Sequence, residues 1–399
     1  PAADGTVEDP RRRACRYVRI EPGPDGGVVT VQQLWLEQVT TAANAAALGR
    51  DVPERLRQID AVACTTLRNC MHDVFEDGPK RDRRLWLGDL RVQAQTNYVT
   101  FGRSDLVRRC LYLHAACARP DGSVPACVFA RPHWHHADEF IPDYALLYGP
   151  TLLDYAQATD DWDTAADLWP IALHQARLID RYADDTGLMH MVDGVWFFID
   201  WNEMLDRQTA LHGVALYSLE RLAQLGERLG HQDDADRLRE RAERLWSVVQ
   251  QQLWDADRGL FVSGPQRQVS WASQVWMILG APMECERGRR LFEMLEQVPG
   301  AIRPITPYLY HHVVQAMLQC GLTDRASALI DAYWGGMIDR GATTFWEVFD
   351  PDDPYLSPYG SHIHNSYCHA WSCTPSWFIR RGLLGEPAAH GSPAAEPAN

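Results

Sequence analysis

Apolar residues along most of this chain recur at three- and four-residue intervals, the period of a helix buried along one face. Leu211, Ala215, Leu219, Leu222 and Leu225 form one such stripe, which stops at Gly226. After a short polar turn, Ala235, Leu238, Ala242, Leu245 and Val249 begin a second stripe, with Asp233 or Asp234 as its N-cap. Thr306-Pro307 marks another helix start, because Thr caps and Pro suits the first helical position. Gly321 ends that helix and Thr323 opens the next. Residues 143–158 and 163–183 form a further pair, and Pro170 predicts a kink in the second. From residue 54 onward the pattern predicts about eleven or twelve helices in consecutive hairpins. Before residue 46 the period drops to two. Residues 16–20 and 28–36, separated by Pro-Gly-Pro-Asp-Gly-Gly, read as β-strands. Two strands cannot bury a face alone, so they are expected to be the end of a larger sheet or an edge packed on the helical part of the chain.

Two architectures absorb so many helical hairpins: an open solenoid, or a closed ring of inner and outer helices. A solenoid repeats itself every ~33–47 residues, and no such repeat is visible. The connections between helices are long and rich in Trp, His and Asp, which marks them as the functional loops of a rigid scaffold. The expectation is an all-α barrel. It occupies residues 46–385, after an N-terminal β segment over 1–45 and before a disordered Pro/Ala-rich tail over 386–399.

Composition narrows the function. The 399 residues carry 38 Lys+Arg against 53 Asp+Glu, a net charge of −15 that repels phosphate backbones and argues against nucleic acid. No apolar run is long enough to span a membrane. The ten cysteines include no C-x-x-C pair, and most sit in helical stretches. They read as buried thiols of a reducing, cytoplasmic compartment. Nucleotide loops and serine-hydrolase elbows are absent. His133, His135 and His136 lack the spacing of a ligand set, so no metal and no cofactor are expected.

Three loops concentrate chemistry. Residues 76–89 hold Glu76, Asp77, Asp82 and Asp89 among Lys80, Arg81, Arg83 and Arg84. A surface ion network is the bland reading, but such networks add little stability. In a cleft, crowded carboxylates raise one another's pKa and leave one able to donate a proton, while Arg81 keeps another ionised. Residues 196–203 alternate aromatics with Asp200, Asn202 and Glu203, around Trp201. That pattern suits a pyranose, with rings on its C–H face and acids on its hydroxyls. Residues 343–347 end in Trp346-Glu347, and 367–372 contain His369.

Together these segments resemble the catalytic domain of bacterial α-L-rhamnosidases, glycoside hydrolase family 78. Asp77-Gly78-Pro79-Lys80-Arg81-Asp82 and Trp86-Leu87-Gly88-Asp89 match the two ends of that family's D-x-P-x-R-D-E-R-x-G-W-x-G-D motif. Asp200-Trp201 resembles its G-D-W segment, Thr344-Phe345-Trp346-Glu347 its T-x-x-W-E segment, and Cys368-His369-Ala370-Trp371-Ser372 its H-A-W-S segment. The order and spacing agree over residues 60–383. The resemblance implies a six-hairpin (α/α)6 barrel, with residues 16–40 as the last strands of a preceding β-sandwich. It implies inverting hydrolysis of terminal α-L-rhamnosyl residues, with Glu347 as general base. Asp77, Asp89, Trp86, Trp201 and His369 would hold a rhamnose-containing carbohydrate, Asp200 would take part, and Trp346 or Trp201 would wall the 6-methyl group.

One departure stands out. The family's proton-donating Glu is replaced by Arg83, and the segment is one residue shorter before Trp86. Arginine cannot donate usefully. Asp82 is the nearest replacement, with Asp89 and Glu203 in reserve. There are three rival readings. A different six-hairpin glycosidase of uronide or glucose type would use Arg83 and Arg84 on a carboxylate. A sugar-binding homologue would lack turnover. A helical scaffold for protein partners would show a broad apolar concave face.

Overall fold

The computed structural model describes residues 8–383, apart from 10, 23, 25, 27, 29, 50 and 51. Among the described residues the stripes become six pairs of helices: α1 (Glu54–Arg68) and α2 (Leu87–Val99); α3 (Ser104–Ala116) and α4 (Tyr148–Thr159); α5 (Trp162–Gln175) and α6 (Gln208–Arg228); α7 (Gln232–Gln252) and α8 (Trp271–Gly280); α9 (Cys285–Glu296) and α10 (Pro307–Gln319); and α11 (Thr323–Ile330, continued to Asp339) with α12 (Pro375–Phe378, continued to Leu383).

The second member of each pair lies inside. The packing runs α2–α4–α6–α8–α10 and closes back on α2 through the turn Ala370–Ser372 and α12. Each outer helix packs on the inner helix before it, and α1 packs on α12. Burial follows this plan. Every residue of α2 is buried, and so is Trp271–Leu279 of α8. In α7 the buried residues are Ala235, Leu238, Leu245 and Val249, four of the five positions in its predicted stripe. α8 is apolar almost all round, as a core helix should be, and α7 carries a single stripe, as a surface helix does; α2 is buried despite Asp89, Arg91, Gln93, Gln95 and Asn97.

Several predicted boundaries hold. The Thr306 hydroxyl accepts from Leu309 N at 3.2 Å, and Pro307 takes the first turn. Asp233 and Asp234 fall in the first turn of α7 rather than at its cap, still where a helix favours negative charge. The kink expected at Pro170 is not where the chain breaks. Residues 162–175 stay helical, with Leu168, Trp169 and Ala172 buried around the proline, and the interruption comes at Ala176 before Arg177–Tyr182. Packing on both sides overrides the missing hydrogen bond.

The N-terminal strands do not form. The described residues of 16–20 and 28–36 are irregular, and Tyr17 is 81% and Val28 96% exposed. An alternating segment needs a neighbouring strand to bury its apolar face, and none of the described residues supplies one. From residue 38 the chain is tied down, by Thr41 N to Met71 O (2.9 Å) and Ala46 N to Thr100 O (2.7 Å). The tail over 386–399 lies outside the described residues. What β structure there is serves the loops. β1 (Leu85–Trp86), β2 (Cys127–Phe129) and β3 (His135–His136) form a small antiparallel sheet beside the N-terminus of α2.

The tightest helix contact joins α6 and α8. A Cβ on Gly213 would stand 2.5 Å from the backbone carbonyl carbon of Trp276, and Gly280 faces the Gly213 carbonyl in return. Backbone meets backbone here, so no side chain can yield. Gly213→Ala is expected to cost about 1–3 kcal/mol through overpacking. Denaturant unfolding checks this, and a transition superimposable on that of the unaltered chain would contradict it.

Candidate active site

Three loops far apart in sequence are laced together at one end of the ring. Ala370 N donates to Asp77 O (2.7 Å), Glu347 N to Ser366 O (2.9 Å) and His369 N to Phe345 O (3.0 Å). Lys80 reaches the carbonyls of Ile363 and Asn365, and Arg81 Nε that of His364 at 2.9 Å. Gly78 permits the approach, since a Cβ there would lie 2.9 Å from Cys368 O. The aromatic loop is held by acids. Asp143 accepts from Phe198 N (2.9 Å) and Ile199 N (3.1 Å). Asp200 accepts from Ile305 N (3.0 Å), Thr306 N (3.1 Å) and the Thr306 hydroxyl (2.5 Å).

These loops line a cleft of about 340 Å³, a volume that includes its open mouth. Asp77, Asp82, Asp89, Glu347 and His369 supply its polar lining. Trp86, Ile141, Tyr144, Trp196, Phe198, Trp201, Tyr359 and Trp371 supply the rest. Acids facing an aromatic wall match the two kinds of surface on a pyranose. Among the described residues no group of three or more His, Cys, Asp or Glu is arranged to hold a metal ion.

Only donors converge on Glu347. Arg81 Nη2 contacts both oxygens at 2.9 and 3.0 Å, the Tyr359 hydroxyl gives to Oε1 at 2.5 Å, and Ser366 N gives to Oε2 at 2.8 Å. The other nitrogen of the same guanidinium, Nη1, lies 3.3 Å from Asp82 Oδ1. Asp77 and Asp89 are buried. Burial pushes both carboxyls well above the usual range, helped at Asp77 by Asp89 and Asp82 and at Asp89 by Glu347. Burial, with the Arg81 charge, drives His369 down to about 3, so its imidazole is neutral. The ring lies 3.8 Å from Asp77 and Glu347 and 3.7 Å from Asp89, beyond hydrogen-bond length. Asp89 Oδ1, His369 Nδ1 and Trp201 Nε1 have no hydrogen-bond partner among the described residues. Buried polar atoms seldom stay unpaired, so these are suited to take ligand hydroxyls.

Of the residues singled out in the sequence, Asp77, Asp82, Trp86, Asp89, Trp201, Glu347 and His369 line the cavity. Arg81 stands behind Glu347. Asp200 and Trp346 do not line it. Asp200 is buried, with its carboxylate spent on the start of α10, so it shapes the loop rather than meeting a ligand. Trp346 neighbours Glu347 in the chain but projects elsewhere, against Phe349 and Tyr367 around a smaller hollow. Successive side chains of extended backbone point opposite ways. Glu203 is exposed and outside the lining. Arg83 also turns away, donating to Pro79 O (2.8 Å) and Arg12 O (3.2 Å), while Arg84 lies over the Phe129 ring at 4.3 Å. Asp82 and Arg83 both adopt positive φ, 58° and 55°. That left-handed step turns Asp82 inward and Arg83 outward. The site residues not singled out are Ile141, Tyr144 and Tyr359. Tyr359 sits in a Pro-, Asp- and Ser-rich loop without periodicity, and only the length of that loop marked it.

A family model described as the bacterial alpha-L-rhamnosidase 6 hairpin glycosidase domain matches residues 53–383. No curated protein matches. The structure of a rhamnosidase from Klebsiella oxytoca with rhamnose bound is 50% identical, with a TM-score of 0.82, over 85% of this chain and 66% of that one. A GH78 family rhamnosidase of Bacillus sp. GL1 is 25% identical, with a TM-score of 0.73, over 85% of this chain and 36% of that one. A GH63 mannosylglycerate hydrolase from Thermus thermophilus, in complex with glucose, shares the fold at 15% identity and a TM-score of 0.60, over 81% of this chain and all of that one. The chain therefore spans just under two thirds of the Klebsiella protein and about a third of the Bacillus one.

Two measurements test these placements. Asp200→Asn swaps an acceptor for an amide donor facing backbone N–H groups, so stability should fall by about 1–3 kcal/mol; unchanged thermal unfolding would contradict the anchoring role. His369 has a folded pKa below its unfolded value of about 6.5. The unfolded chain therefore binds the extra proton, and stability is lost as pH falls from 6.5 toward 3. His369→Asn should flatten that loss, by about 3 kcal/mol between pH 6.5 and 4. Parallel stability profiles for the two proteins would refute the assignment.

Proposed function

We propose that this chain, which belongs to the bacterial α-L-rhamnosidase six-hairpin glycosidase family, hydrolyses terminal α-L-rhamnosyl bonds with inversion at the anomeric carbon. The observation that carries this reading is that Asp82 and Glu347 line one cavity, with Glu347 held by donors from Arg81, Tyr359 and Ser366. An inverting pair needs its carboxyls ~6.5–9.5 Å apart, with room for sugar and water between them, and Asp82 and Glu347 line the same cavity. The rhamnose held by the Klebsiella protein supports the choice of sugar.

In this mechanism Glu347 is the general base. It takes a proton from water as the water attacks the anomeric carbon. Asp82, with its side chain 26% exposed, is the least buried of the cavity's acids, which suits it to meet a leaving group. It gives its proton to the glycosidic oxygen as that bond breaks. Asp77, Asp89 and neutral His369 take the ring hydroxyls, Asp77 and Asp89 being favoured in the protonated form that can donate as well as accept. Trp86 and Trp201 pack on the apolar faces. Trp201, with Trp196 and Phe198, walls the methyl group, a role that Trp346 is too far round the loop to fill. A uronate substrate would need a free cation. Arg83 and Arg84 do not line the cavity, and Arg81 is engaged with Glu347. An acid at Asp82 supports turnover over binding alone. The ten cysteines are free thiols, which suits a reducing compartment.

Glu347→Gln should lower hydrolysis of nitrophenyl α-L-rhamnoside by about 10²–10⁴-fold, with rhamnose binding retained in calorimetry. Activity near that of the unaltered protein would remove the assignment. Asp82→Asn should be far more damaging with methyl α-L-rhamnoside than with the nitrophenyl compound, because nitrophenolate departs without a proton. Equal losses on both would mean that another carboxyl is the acid.

A further inference from the structure

Tyr359 is a cavity residue that the motifs leave out and that bonds directly to Glu347. Its hydroxyl gives to Glu347 Oε1 at 2.5 Å, and its ring lines the cavity. The other donors on Glu347, Arg81 and Ser366, stand outside the cavity lining. Tyr359 is itself held on two sides. The Arg81 guanidinium lies over its ring at 4.2 Å, and Trp201 meets it edge-on at 5.8 Å. Its loop is pinned by the Ser357 hydroxyl, which accepts from Tyr359 N (3.1 Å) and gives to Ser361 O (2.9 Å). Burial and the neighbouring carboxylate both hold the phenol in its protonated form, so it remains a donor.

A general base needs a lone pair aimed at the attacking water. Arg81 and Ser366 hold Glu347 through its two oxygens from outside the lining, and Tyr359 is the donor to Oε1 that belongs to the lining itself. Resting on the reading above, in which Glu347 is the base, we propose that Tyr359 is a positioning residue for inversion. Its hydroxyl fixes the rotation of the Glu347 carboxylate and holds Oε1 toward the water that attacks the anomeric carbon. It exchanges no proton in the step. The proton passes from water to Glu347, and the phenol keeps its own.

The test is Tyr359→Phe, assayed with nitrophenyl α-L-rhamnoside across pH in the unaltered background and in Glu347→Gln. A hydrogen bond to a charged group is worth about 1.5–3 kcal/mol, so kcat should fall about 10–100-fold. KM should change less than about threefold. The acid limb of the rate profile should move upward, since a donor to the carboxylate form has been lost. In Glu347→Gln the same change should have almost no further effect. Tyr355→Phe, an exposed position on the same loop, serves as the control for loop disturbance and should match the unaltered protein. A rise in KM with kcat unchanged would make Tyr359 a sugar contact and overturn the proposal. A fall in kcat of the same size in both backgrounds, with the acid limb unmoved, would also overturn it. Full activity of Glu347→Gln would sink the reading of the base itself, a separate outcome.

Discussion

The constraint behind this structure is the burial of carboxylates in one small hollow. Asp77, Asp89 and Glu347 are all but removed from solvent, and Asp82 stands at their edge. An unpaired buried charge is costly, so each must find donors or take up a proton. Glu347 finds donors: a guanidinium, a phenol and a backbone amide. Asp77 has one backbone amide, from Arg84 at 2.9 Å, and Asp89 Oδ1 has none. Their carboxyls are pushed toward the neutral form instead. The same crowding therefore leaves one acid held by donors and two pushed toward the neutral form.

The ring of helices exists, in these terms, to hold loops. The inner helices are buried almost all round, leaving them little freedom to shift against one another. Gly213 and Gly280 bring two of them into backbone contact. The loops at one end are then fixed by backbone hydrogen bonds and by two further buried acids, Asp143 and Asp200. Each accepts backbone N–H groups from a different segment. These carboxylates take no part in the cavity, yet without them Phe198 and Trp201 would have no fixed place. The polar residues of this site thus divide into those that line the cavity and those that hold its wall still.

Much of the architecture can be read before folding is considered. The stripe of α7, the Thr306-Pro307 start of α10 and the alternation of hairpins follow from local chemistry: periodicity, a capping hydroxyl and a proline with no N–H to lose. Similarity to a known motif located Glu347, Asp77, Asp89, Trp86 and His369. Asp200, Trp346 and Tyr359 were not legible in the same way. The first two lie beside true cavity residues in sequence, and proximity along the chain says nothing of which way a side chain points. Tyr359 lies in a loop without a pattern. The strands expected at 16–20 and 28–36 failed for a related reason, since alternation specifies a face but not a partner.

Local chemistry along the chain specifies which segments are helices and where the acids and aromatics concentrate. Those properties depend on neighbours a few residues away. Only the tertiary structure decided that Asp82 turns inward while Arg83 turns out, that Arg81 spans two carboxylates from opposite ends of the chain, and that a tyrosine completes the set. Those outcomes depend on the direction of individual Cα–Cβ bonds once distant loops are laced together. No short-range pattern encodes that direction.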